Sequence, residues 1–144
     1  MLIGAVLAAH GIGEAVAGPV TPPPGSAERK TICDALRVPV IDEFGVRPIF
    51  VISTLNVLDG WAFLIGELKR TDGSPYNAER LDAERNGEGR PFDGDSVYGI
   101  LRKKNGRWRA LACSVGPTDA SFVIWRREFG APLELFGKHA SSME

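Results

Sequence analysis

Between Pro48 and Gly116 the apolar residues fall into four short runs, two on each side of a polar stretch. Pro48–Leu58 and Trp61–Leu68 flank Asp59-Gly60, while Ser96–Lys104 and Arg107–Gly116 flank Asn105-Gly106. Asn-Gly is the strongest short hairpin signal, because a type I′ turn needs positive φ at both central residues. Asp-Gly marks a tight turn for the same reason. Each pair of runs therefore reads as an antiparallel hairpin. In the first strand Ile49, Val51, Leu55 and Val57 alternate with Phe50, Ile52, Thr54 and Asn56; in the second, Trp61, Phe63 and Ile65 alternate with Ala62, Leu64 and Gly66. The second hairpin sets Val97, Gly99 and Leu101 against Tyr98 and Ile100, then Leu111, Cys113 and Val115 against Ala110 and Ala112. Apolar residues on both faces predict a sheet covered on each side.

Helical spacing brackets these strands. Ser26 is placed to cap a helix over Ala27–Arg37, with Glu28 in its first turn and Ile32, Cys33 and Leu36 on its apolar face. Pro39 is expected to end it, leaving residues 40–47 as a loop that carries Asp42 and Glu43. From Lys69 to Asp95 the chain turns polar, with room for a short charged helix over Asn77–Arg85. A loop of this length in a compact domain is functional or mobile. Asp119 is placed to cap a last helix over Ala120–Phe129, carrying Phe122, Trp125 and Phe129, with Gly130 just past its end. The fold class is therefore α+β: N-terminal helix, four-stranded antiparallel sheet built from two hairpins, C-terminal helix. A cystatin-like or nuclear-transport-factor-like curved sheet fits by analogy, which carries no function with it.

The flanks divide the chain further. Leu2–Ala9 is an unbroken apolar run, too short to cross a bilayer, and Ala15-Val16-Ala17 fits a small-x-small cleavage site. Residues 1–17 read as a signal peptide, which places the protein in the periplasm or outside the cell. Residues 18–26 form a proline-rich linker expected to stay out of any sheet. Residues 27–136 make a single domain, and 137–144 a frayed tail. No run is long and apolar enough for a transmembrane segment.

Charge and rare residues narrow the chemistry. A formal net charge of −1 gives no argument for a nucleic-acid partner. The two histidines are His10, in the expected leader, and His139, in the expected tail, so the body offers no imidazole for nucleophile activation or metal ligation. Cys33 and Cys113 are the only thiols; in an oxidising compartment they are a disulfide candidate, the alternative being two separate buried thiols. Asp93-Gly94-Asp95-Ser96 opens like a calcium loop, but the sixth place is Tyr98 and the twelfth Lys104, so no metal site is predicted. Glycine-rich nucleotide motifs are absent, and no cofactor is expected. Asp42, Glu43, Asp59, Glu67, Asp93, Asp95 and Asp119 remain as acid–base candidates, and Asp59, Asp93 and Asp95 each neighbour a glycine, which is turn chemistry.

The stretches PIFVISTLNVLDGWAFLIGELKRTDG, ILRKKNGRWRALACSVGPTD and WRREFGAPLELF together resemble an uncharacterised family of small exported bacterial proteins. In that group a FVV..L...WAFV strand pair precedes LLRK..GRW.V...GPTD and a Trp-containing helix ending near YGAP. The similarity covers most of Ile32–Phe136 and implies export and a small α+β fold; it implies no catalytic residues. Cys113 departs from the pattern.

Arg102, Lys103, Lys104, Arg107 and Arg109 crowd the second hairpin around Trp108, and basic groups beside an aromatic can grip a polyanion. The expected function is an exported, non-enzymatic binding or accessory protein, with this tip and the Lys69–Asp95 loop as contact surface. Its partner is a protein or an anionic envelope polymer rather than nucleic acid, bound by a monomer or homodimer. The alternative is a carboxylate-based hydrolase acting on an envelope carbohydrate, which needs two acids converging in a pocket.

Overall fold

The computed structural model describes residues 18–87 and 89–143, so the expected leader lies outside the described residues. Helix α1 (Ala27–Phe44) leads into β1 (Pro48–Leu58) and β2 (Trp61–Arg70), then α2 (Ala78–Asn86), β3 (Ser96–Lys104), β4 (Arg107–Val115) and α3 (Trp125–Phe129). The strands lie in the order β1-β2-β3-β4, all antiparallel. This is the expected α+β layout. Both hairpin turns take positive φ at both central residues: Asp59 at 51° and Gly60 at 79°, Asn105 at 53° and Gly106 at 77°.

Helix α1 runs seven residues further than expected, straight through Pro39 to a left-handed Gly45. Ile32, Leu36, Val40 and Phe44 recur every fourth residue and are all buried, so stopping at Arg37 would strand half of this stripe. Burying Val40 and Phe44 contributes about 1.5–3 kcal/mol each, which offsets the ~3 kcal/mol cost of an internal proline. Ser26 Oγ accepts from the Arg29 N–H as expected. At the other end Arg85 donates to the Glu43 and Asp42 carbonyls, a cation where the macrodipole favours one.

Two bulges correct the face assignments. In β1, Ile52 pairs with Gly66 and Thr54 with Ile65, which leaves Ser53 unpaired. Phe50, Ile52, Leu55 and Val57 therefore join one face, packed on the α1 core, and Val51 turns to solvent. In β4 the shift falls at Leu111, so Trp108, Ala110, Cys113 and Val115 face α1 while Leu111 is 40 % exposed.

The opposite face is covered by the chain's end. Phe122, Trp125, Ala131, Leu135 and Phe136 pack over Phe63 and Ile100. The expected helix over Ala120–Phe129 is a 3₁₀ turn, Ser121–Ile124, followed by α3, and Asp119 caps neither. Residues 133–143 are not frayed. They form two 3₁₀ turns broken at Gly137, and the Asn56 side chain donates to the Leu135 carbonyl at 3.0 Å. The proline-rich linker does touch the sheet: Val20 exchanges both backbone hydrogen bonds with Val57. The Lys69–Asp95 segment is likewise anchored, because Tyr76 and Ala78 are fully buried and Tyr76 donates its hydroxyl to the Val46 carbonyl. Asp95 is committed there too: its carboxylate accepts from the Asn77 and Ala78 N–H groups and caps α2 from outside.

Gly99 on β3 lets α1 approach closely, since an added Cβ would lie 2.7 Å from Leu36 Cδ1. Gly99→Ala is expected to cost about 1–3 kcal/mol by overpacking, with part recovered by adding Leu36→Val. Urea unfolding midpoints of the single and double variants check this.

Candidate functional site: the basic hairpin tip

The β3–β4 turn sets Lys104 directly opposite Arg107, and Arg102 directly opposite Arg109. Alternation then places these four cations on one face and Lys103 with Trp108 on the other. Like charges directly opposite one another destabilise a hairpin by roughly 0.2–1 kcal/mol per pair. One member is compensated: Arg102 stacks over the Trp61 ring at 4.4 Å and donates to the Asp59 carbonyl. Lys104, Arg107 and Arg109 line a concavity of about 580 Å³ with Asn105, and none pairs with a carboxylate among the described residues.

The six residues singled out by sequence are thus divided. Lys103 turns to α1, with Nζ 3.7 Å from Glu28 and 5.6 Å above the Trp108 ring. Trp108 is only 8 % exposed and donates its indole N–H to Glu28 at 2.6 Å. It is a core residue that also lines the floor between α1 and β4. Arg109 also lines the groove of about 500 Å³ between α1 and β4, together with Ala35, Val38, Pro39, Asp42 and Leu111. The tip concavity and this groove meet at Arg109, a junction that no linear pattern reveals.

The expected disulfide is not formed: Cys33 and Cys113 are free thiols. Helix α1 lies along β4 with Glu28 at Trp108, and Glu43 lines one small cavity with Cys113. A bridge needs Cα atoms within about 7 Å, and no bond joins the two residues here. Burial, with the nearby Glu43 carboxylate, pushes the Cys113 thiol up to about 12. Protonated at neutral pH, it is a poor nucleophile. Burial also raises the Cys33 thiol, against the pull of Arg37 and Arg29.

The remaining acids are scattered or in use. Glu67, Asp93 and Asp95 line one concavity of about 470 Å³, but Asp95 is the α2 cap. Asp59 holds a turn conformation, with Arg102 on its carbonyl. Glu43 is pushed up by burial, opposed by Arg90 at 3.8 Å. His139 lies edge-on to Phe63 and Phe122, and makes no hydrogen bond or ion pair with a thiol or acid among the described residues. Among the described residues no group of three or more His, Cys, Asp or Glu could hold a metal.

Mass analysis of the unreduced protein after denaturing alkylation is expected to find both thiols modified; an oxidised pair would contradict the free thiols seen here. In native protein at pH 8, Cys113 is expected to react more slowly than Cys33. No known family model matches the chain, and neither described proteins nor solved structures show significant similarity to it, so the site rests on its own geometry.

Proposed function

We propose that the protein is an exported, non-catalytic binding module that holds an extended anionic polymer of the cell envelope on its basic hairpin tip. The observation that carries this reading is the cross-strand pair Lys104–Arg107 with Arg109 beside it. These are three exposed cations gathered around one concavity, at a cost in hairpin stability and without a paired carboxylate among the described residues. A residue arrangement that weakens the fold locally is a hallmark of a surface retained for binding. Arg109 lines both the tip concavity and the groove between α1 and β4, which supports contacts that extend beyond the turn. Three cations suit phosphate or carboxylate repeats better than a single small anion, because each contact alone is weak in water.

Two effects of one substitution separate this reading from a solubilising role. Arg107→Glu puts opposite charges across the strand pair, so it is expected to raise stability by up to about 1 kcal/mol. The same change, combined with Lys104→Glu, is expected to weaken binding to polyphosphate at least tenfold. Three contacts also predict that log K falls with log salt at a slope near −2, as for a single strand. Neutral dextran is the control. Fluorescence anisotropy with labelled polyphosphate between 50 and 300 mM salt reads both quantities. Affinity that ignores salt, or survives the double reversal, removes the tip as the binding site.

A further inference from the structure

The C-terminal segment ends the cover over the second sheet face, and its one titratable ring is half-buried with one nitrogen sealed from solvent. His139 Nε2 is shielded from solvent and has no hydrogen-bond partner, the single such side-chain atom among the described residues. The ring meets Phe63 from β2 at 6.1 Å and Phe122 from the 3₁₀ turn at 5.6 Å, both edge-on. On its own segment the charged neighbour is Lys138, which opposes a second cation there. A neutral imidazole tolerates this place, whereas an imidazolium would be left facing carbon with an unpaired N–H. Upstream, Gly137 breaks the segment at φ 55°, between the firmly buried Leu135–Phe136 anchor and His139. Beyond it, Met143 packs on the same cluster.

We propose that residues 138–143 form an acid-released strap, hinged at Gly137, which uncovers the Phe63–Phe122 edge of the second core cluster when His139 takes a proton. Nothing in this depends on the polymer-binding reading, because the strap covers the second sheet face while the cations sit at the turn. The linkage has a definite sign. Burial, then Lys138, holds the docked ring below its ordinary 6.5. The released strap therefore binds the proton more readily, docking is fully favourable above about pH 6.5, and it weakens as pH falls below that. One unit lower, at pH 5.5, the docking constant drops by up to about tenfold.

Hydrogen exchange followed by mass spectrometry on the full chain tests this, with rates corrected for intrinsic pH dependence. Protection of residues 138–143 is expected to fall by up to about tenfold between pH 7.5 and 5.5, while β2 and β3 keep theirs. His139→Leu, which keeps the apolar contact without the proton site, is expected to hold the strap down at both pH values. His139→Lys is expected to release it even at pH 7.5, shown by the Met143 methyl resonance moving to its solvent-exposed position. The proposal is overturned if wild type and His139→Leu lose protection alike. It is also overturned if protection falls across the strands together, or if the His139 ring titrates at 6.5 or above.

Discussion

Everything in this fold answers to a sheet that is apolar on both sides. Strand β2 sends Ala62, Leu64 and Leu68 one way and Phe63 and Ile65 the other, and all but Ile65 are fully buried. Neither face can be left to water at roughly 25 cal/mol per Å² of apolar surface, so two separate covers are required. Helix α1 supplies the first with its fourfold stripe and the chain's end supplies the second. This requirement explains why local preferences lose twice. Pro39 does not stop α1, and the residues after Gly137 do not fray.

The parts legible in sequence are those decided by a few adjacent residues. Asn105-Gly106 and Asp59-Gly60 specify their turns through backbone conformations that few other pairs reach, and the hairpins follow. Ser26 is a cap because its neighbours need one. What escaped are features decided at long range. A bulge at Ser53 or Leu111 adds one residue to one strand, and nothing in that strand's own alternation shows where the period slips. The helix boundary at Gly45 depends on Val40 and Phe44 finding a core made by strands far along the chain. Asp95 looks like turn chemistry, yet its carboxylate serves a helix that begins at Ala78.

The site shows the same division. Basic residues near Asn105 were visible as a cluster, but strand alternation sorts them into two faces and gives them different work. Lys103 and Trp108 are captured by Glu28, a residue on the first turn of α1. Arg102 is captured by Trp61. The cations that remain free are those with no long-range partner among the described residues to claim them. The candidate surface is therefore defined by subtraction: tertiary structure neutralises part of a basic run and leaves Lys104, Arg107 and Arg109 facing solvent.

The same logic treats the two sheet edges unequally. Along β1, Val20 closes part of the edge with a reciprocal pair of backbone bonds. Along β4, Arg90 reaches the Val115 carbonyl and Asp93 the Gly116 carbonyl, but these contacts stop at the strand's end. From Arg107 to Ser114 no backbone bond to the outer side is made among the described residues. An open edge invites pairing with another chain unless something spoils it. Here the Leu111 bulge interrupts the ladder and Arg107 and Arg109 charge its near end, which disfavours a neutral strand. An extended chain with its own negative charges suffers less from both devices, since it needs cations rather than a continuous ladder. The features that protect β4 from indiscriminate pairing are thus compatible with the polyanion proposed for the tip.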